Sequence, residues 1–200
     1  MPAKPQLPTP SKDEINDLPP FAMLGMDSIT LVRDVGGVER AAERLHQTTV
    51  WGFDTESKPT FLKDEVSDGP HVLQLATTEH AWVIQLHDKS CRDAAAALLT
   101  GEHIVKAGFG LGDDKRRIQT KLGVTPANVV ELNTIFRDRG YRRDMGVKAA
   151  VAVLFGQRFT KSKKASTSNW ANQTLSPAQV LYAANDAWAA AKVYQALIEP

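Results

Sequence analysis

An apolar, strand-like run, Thr49-Val50-Trp51-Gly52-Phe53-Asp54-Thr55-Glu56, ends in two carboxylates. Side chains of a β-strand alternate between faces, so Asp54 and Glu56 project side by side. Like charges so placed repel, and a divalent cation converts the repulsion into shared coordination. Hard cations take carboxylate oxygens, and Mg²⁺ in particular combines one or two protein carboxylates with substrate phosphate and water. A strand end reaching solvent would also account for a lone D-x-E, so metal chemistry at this pair requires further acids elsewhere in the chain.

Two segments supply them. Val105-Lys106-Ala107-Gly108-Phe109-Gly110-Leu111-Gly112 reads as a strand entering a glycine-rich turn, and it delivers Asp113-Asp114 to the start of a basic helix, Lys115-Arg116-Arg117. Capping and the helix dipole favour acids there, which accounts for at least one of the pair. A dinucleotide-binding G-x-G-x-x-G would require glycine at the position of Asp113, and the loop does not belong to a first βαβ unit. In Leu181-Tyr182-Ala183-Ala184-Asn185-Asp186-Ala187-Trp188, Tyr182 and Asp186 are four residues apart in a helical pattern and share one face. An acid among alanines is either solvated or turned inward, and Leu181, Ala184 and Trp188 favour the inward direction. Tyr182 would equally suit a half-buried core position with its hydroxyl at the rim.

The elements that must position these residues follow from periodicity. Ile29 to Val32 reads as a strand, Val38 to Leu45 as a helix, and the acid-bearing strand ends at Glu56. His71 to Thr77 and His80 to Leu86 form a β-hairpin, which makes three consecutive, antiparallel strands. Helix is then expected at Arg92 to Leu99, Lys115 to Leu122, Met145 to Phe155 and Pro177 to Ile198, with short strands at His103 to Lys106 and Asn128 to Leu132. Strands first, then alternation, then helices describe an α/β protein: a mixed β-sheet flanked by α-helices. The tract from Lys161 to Ser168 reads as a basic surface loop.

The 200 residues suit one α/β domain, and 42% hydrophobic content suits a globular chain. A net charge of +1 excludes binding of nucleic acid by bulk charge, so any such site must be local. The single cysteine, Cys91, excludes an intrachain disulfide and a multi-cysteine zinc site and fits a reducing compartment. No apolar stretch approaches the roughly 18 residues of a membrane span. Residues 1–25 hold six of the eleven prolines and read as a flexible or extended arm preceding a domain over 26–200. The arm lacks the apolar core of a signal peptide and the arginines of a transit peptide, so a cytoplasmic location is expected.

The order FDTE, KAGFGLGDD, YAANDA resembles the three exonuclease motifs of the DEDD superfamily of 3′-to-5′ exonucleases, in its tyrosine-bearing (DEDDy) branch. By pattern the chain is similar to ribonuclease D and to the exonuclease domain of the Werner-syndrome helicase, from about Ile29 to Ile198. Val72-Leu73-Gln74-Leu75 and Ser168-Asn169-Trp170 fit the same pattern. The resemblance implies a ribonuclease H-like fold. It also implies catalytic acids at Asp54, Glu56, Asp114 and Asp186 with the branch tyrosine at Tyr182; spacing from Gly108-Phe109-Gly110 favours Asp114 over Asp113.

Further implications concern cofactor and substrate. Two divalent cations, Mg²⁺ or Mn²⁺, would be held with Asp54 bridging both, Glu56 and Asp186 completing the first site, and Asp114 holding the second mainly through water. Tyr182 would orient the attacking water, and nucleoside 5′-monophosphates would leave the 3′ end of single-stranded or 3′-overhanging RNA or DNA. Thr55, Phe61, Lys106 and Tyr141 are expected to contact that strand, supported by the basic residues at 115–116, 137–143 and 161–164. Ser57-Lys58-Pro59 departs from the aromatic or apolar residues often found after the first motif, which bears on substrate preference. Two alternatives remain at this level: an exoribonuclease clearing very short oligonucleotides, and a catalytically silent nucleic-acid-binding module.

Overall fold

The computed structural model describes residues 6–60, 67–141 and 144–199. Six strands form one sheet: β1 (Ile29–Val32), β2 (Val50–Glu56), β3 (Val72–Ala76), β4 (Ala81–Gln85), β5 (Val105–Gly108) and β6 (Val129–Glu131), in the order β1-β4-β3-β2-β5-β6. The expected meander is present, with β2 antiparallel to β3 and β3 to β4. β1 joins β4, β5 joins β2 and β6 joins β5, all in parallel. This is the mixed α/β architecture of the ribonuclease H-like class.

Strict alternation sorts the strands into two cores. Trp51, Phe53, Leu73, Leu75, Trp82 and Ile84 face helices α2 (Val35–Leu45), α3 (Lys89–Leu99) and α4 (Gly112–Leu122). Val72, Ala76, Ala81 and Val83 face α6 (Gly146–Phe155) and the long α8 (Pro177–Ile198). β3 and β4 are therefore buried on both faces, which is why each reads as a nearly unbroken apolar run.

Helix α8 carries the site, and its local sequence explains where it starts and how closely it docks. Ser176 caps it in a reciprocal box with Gln179, and Pro177 occupies the first turn, where its missing N–H costs nothing. Alanines 183, 184, 187, 190 and 191 are all buried against the sheet. Opposite them lies Gly52 of β2, where an added Cβ would sit 1.7 Å from the Ala187 carbonyl oxygen. A side chain there would push the helix off the strand. The glycine thus sets the distance at which α8 faces the end of β2.

Several boundaries differ from the periodicity reading. Helix α4 starts at Gly112, so Asp113 and Asp114 belong to its first turn and do not precede it. α5 (Leu132–Asp138) and the single turn α7 (Lys163–Ser166) are additional helices, the latter inside the expected basic loop. Residues 6–25 also carry more local order than proline content suggests. Ser11 and Glu14 close a capping box around α1 (Lys12–Asn16), Leu7 pairs with Tyr141, and the Phe21 ring enters the core against Phe155 and Trp188, both at 5.3 Å. Among the described residues, no helix is long and apolar enough to cross a membrane.

Candidate active site

Asp54 and Glu56 leave β2 on the face that Gly52 presents to α8, as alternation requires. Asp186 comes from the third turn of α8 and is buried, at 6% exposure. Asp114 comes from the first turn of α4, on the other side of the sheet, and accepts a very short hydrogen bond from the Thr55 hydroxyl. Thr55 lies on the opposite face of β2 from Asp54 and Glu56, so its hydroxyl reaches the helix that its neighbours do not. Asp54 Oδ1 meanwhile accepts the Thr55 backbone N–H at 2.8 Å.

These acids act on one another electrostatically. Burial, followed by the charges of Asp114 and Asp186, raises the Asp54 carboxyl far above the ordinary range. Burial and then Asp54 and Asp186 push Glu56 up to about 9. Burial also raises Asp114 and Asp186. Four acids in a low-dielectric recess can ionise together only if positive charge is supplied. Part of it comes from Lys161, whose Nζ lies 2.7 Å from Asp186 Oδ2 and 5.3 Å from the centre of the Tyr182 ring. Among the described residues, Asp186 Oδ1 is buried and receives no hydrogen bond of good geometry. Burial and then the carboxylates of Asp186, Glu56 and Asp54 raise the Tyr182 phenol above its ordinary range, so it keeps its proton at neutral pH.

Asp113 and Asp114 are separated by geometry. Asp113 is exposed and pairs with Arg116 at 3.0 Å, whereas Asp114 turns inward to Thr55. The expected strand contacts fare differently. Lys106 is wholly buried, and its ammonium donates to the carbonyls of Gly101, Ile104 and Ala127 at 2.6, 3.2 and 3.0 Å, so it is not available to a substrate. The Thr55 hydroxyl is likewise committed, to Asp114. Tyr141 packs edge-on against Phe136 at 5.7 Å and pairs with Leu7. Phe61 lies outside the described residues, as do two arginines of the 137–143 cluster.

Lys161 is the site residue whose position the sequence reading did not foresee. It belongs to a basic tract read as surface, yet burial alternates along 159–161, with Phe159 buried, Thr160 exposed and Lys161 partly buried. That alternation was the available signal.

The donor set is all oxygen, the choice of a hard divalent cation. Among the described residues, no group of three or more acids, histidines or cysteines is drawn together tightly enough to hold an ion as it stands. The buried Asp186 oxygen that lacks a hydrogen bond of good geometry and the raised acids nevertheless fit a group that brings positive charge. Cation binding would then displace protons and draw the carboxylates inward.

Comparison with known proteins agrees with this chemistry. Residues 29–199 match the 3′-5′ exonuclease family. Over 162 residues, 80% of this chain, identity is 29% to the Mus musculus bifunctional 3′-5′ exonuclease/ATP-dependent helicase WRN, of whose length the chain spans 12%. The EXO domain of Aedes aegypti Nibbler superposes with a TM-score of 0.72 at 20% identity, covering 87% of this chain and 88% of that one. Trypanosoma brucei RNase D, solved in complex with RNA U12, superposes with a TM-score of 0.74 at 18% identity, covering 94% and 65%. At these identities the structural likeness establishes the fold.

Proposed function

Because this chain belongs to the 3′-5′ exonuclease family, we propose that it hydrolyses the terminal phosphodiester at the 3′ end of single-stranded or 3′-overhanging RNA or DNA and releases nucleoside 5′-monophosphates. The observation that carries the reading is the meeting of Asp54, Glu56, Asp114 and Asp186, from three separate segments, beside Tyr182 and Lys161.

Asp54, Glu56, Asp114 and Asp186 would hold two Mg²⁺ or Mn²⁺ ions. Such a pair supplies an acidified water and stabilisation of the attacking and leaving oxygens. The remaining tasks fall to the chain itself. Tyr182, protonated at neutral pH, hydrogen-bonds the attacking water and fixes its direction; it does not remove a proton from it. Lys161, paired with Asp186, is placed to meet the phosphate. Thr55 holds Asp114 in its inward orientation through the hydroxyl contact. The reading includes a reducing, cytoplasmic setting, which suits the buried thiol of Cys91.

The test is incubation of the protein with 5′-labelled single-stranded RNA and DNA in Mg²⁺ or Mn²⁺, beside EDTA and an Asp54→Asn variant. Stepwise shortening that both controls abolish is expected, and the two polymers compared on one gel establish the preference. No shortening of either, or equal shortening by the variant, would overturn the proposal.

A further inference from the structure

A cavity of about 430 Å³ opens beside the acids, bounded by Met23, Leu24, Phe159, Lys161, Leu181 and Tyr182, with Asp186 at its edge. Three of its features belong to the catalytic cluster: Lys161, Tyr182 and Asp186. The rest of the wall is largely apolar, and part of it comes from the proline-rich arm.

That arm segment is held by specific bonds. The side-chain amide of Asn185, adjacent to Asp186 on α8, accepts the Leu24 N–H at 2.8 Å and donates to the Leu24 carbonyl at 3.2 Å. Both backbone groups of one arm residue are therefore satisfied by one side chain of the catalytic helix. Asn185 also donates to the Leu181 carbonyl at 2.9 Å, which fixes its rotamer. On the other side, the Phe21 N–H donates to the Arg158 carbonyl at 3.0 Å and the Phe21 ring is buried. Met23, between these two anchors, is 37% exposed at the cavity. An exposed methionine between two fixed points is not explained by packing of the fold.

We infer that Met23 and Leu24, stapled by Asn185, form one wall of a pocket that receives a nucleobase of the strand whose phosphate lies at the acids. The inference rests on the exonuclease reading above. Continuity decides the occupant: a ligand in this cavity touches Tyr182 and Lys161, so it must be joined to whatever reacts there. In a nucleic acid the apolar, flat part that seeks such a slot is the base. Methionine suits the wall because its flexible, polarisable thioether conforms to aromatic faces of different outline without selecting one. The arm then contributes to substrate affinity and not only to stability.

The experiment measures binding in EDTA, where no hydrolysis intervenes, by fluorescence anisotropy of 5′-labelled single strands. One strand is intact and three others are abasic at the last, second-last or third-last nucleotide. Met23→Ala removes the wall at an exposed position, Asn185→Ala releases the staple, and Met26→Ala, an exposed residue outside the cavity, is the control. From the lost apolar contact, Met23→Ala is expected to weaken binding of the intact strand about fivefold. On the one abasic strand that leaves the pocket empty, wild type should weaken similarly and the Met23→Ala penalty should vanish.

Wild-type affinity for Met23→Ala on the intact strand, or an equal penalty on all abasic strands, would overturn the inference. If Asn185→Ala loses its fold, Met23→Ala still decides. Failure of the exonuclease reading looks different: wild type binds strands but shortens none in Mg²⁺ or Mn²⁺.

Discussion

Two regions of this molecule bury charge, and they treat it in opposite ways. Lys106 on β5 lies beside Trp51 in register, on the face away from α8, with its ammonium 5.6 Å from the Trp51 ring centre. Burial lowers its pKa to about 8, which leaves it charged at neutral pH, and three carbonyls take its three protons. A few residues further along β2, Asp54, Glu56, Asp114 and Asp186 crowd together with one lysine among them and an oxygen of Asp186 that lacks a hydrogen bond of good geometry. A buried charge that holds a fold together is saturated with partners. A buried charge that awaits a ligand is left short of them, and its stability cost is the reserve from which binding draws.

Substitutions that invert the two regions test this contrast. Asp54→Asn is expected to lower the exonuclease rate by about a thousandfold, the scale of losing one electrostatic element of a preorganised site. The same variant should melt at a higher temperature than wild type without metal, because Asp54, ionised in the unfolded chain, must take up a proton on burial and asparagine need not. A destabilised Asp54→Asn would remove the contrast. Lys106→Met should do the reverse, costing about 3 kcal/mol of stability by leaving buried carbonyls unpaired, while the folded fraction keeps its activity. Thermal melts paired with initial rates separate the two outcomes. Weaker strand binding at unchanged stability would instead restore Lys106 as a substrate contact.

The pH dependence sharpens the comparison further. Burial among the other acids pushes Glu56 up to about 9 in the folded, metal-free protein, whereas an unfolded glutamate releases its proton near 4.5. Between those values the folded state binds more protons, so the group's contribution to stability falls as pH rises through this window. The difference in melting temperature between Glu56→Gln and wild type, measured without metal, should accordingly widen from pH 5 to pH 8. Saturating Mg²⁺ or Mn²⁺ should narrow it again. At a hundred times its dissociation constant a cation that binds only the folded state adds about 2.7 kcal/mol. A gap that stays constant across this pH range would show that Glu56 is not buried among like charges. The smallest effect is expected of Asp113→Asn, whose partner Arg116 is as exposed as it is: less than about 0.5 kcal/mol in stability and no change in rate.

The residues differ in how far their roles could be read from the sequence. Alternation placed Asp54 and Glu56 on one strand face, and helical spacing placed Tyr182 and Asp186 one turn apart, because both rules are local and survive tertiary packing. The meander and the long C-terminal helix were legible for the same reason. Lys106 was misread as a strand contact because nothing in Val105-Lys106-Ala107 reveals that three carbonyls from neighbouring turns converge on its ammonium. Thr55 was expected to contact the strand, but its side chain faces α4 and its hydroxyl donates to Asp114. Asp113 and Asp114 differed only in spacing until the start of α4 fixed which of them turns inward. The arm was described by its prolines, which restrict its backbone but do not show that Phe21 has a hydrophobic slot or that Asn185 meets Leu24.

What the sequence by itself determined is the set of candidate groups and the local face on which each stands: two acids on a strand, an acid and a phenol on a helix, an acid at a helix start. Those placements depend on residues within a few positions of each other. What only the tertiary structure decided is that the three segments meet, that Lys161 enters among the acids, and that the arm closes a wall beside them. Meeting requires the α8 backbone to lie against β2 at Gly52, a contact between residues 135 positions apart in which the glycine's missing side chain has a purpose only once Ala187 stands opposite. Local rules carry no information about such a partner, since only close packing of the two elements selects it.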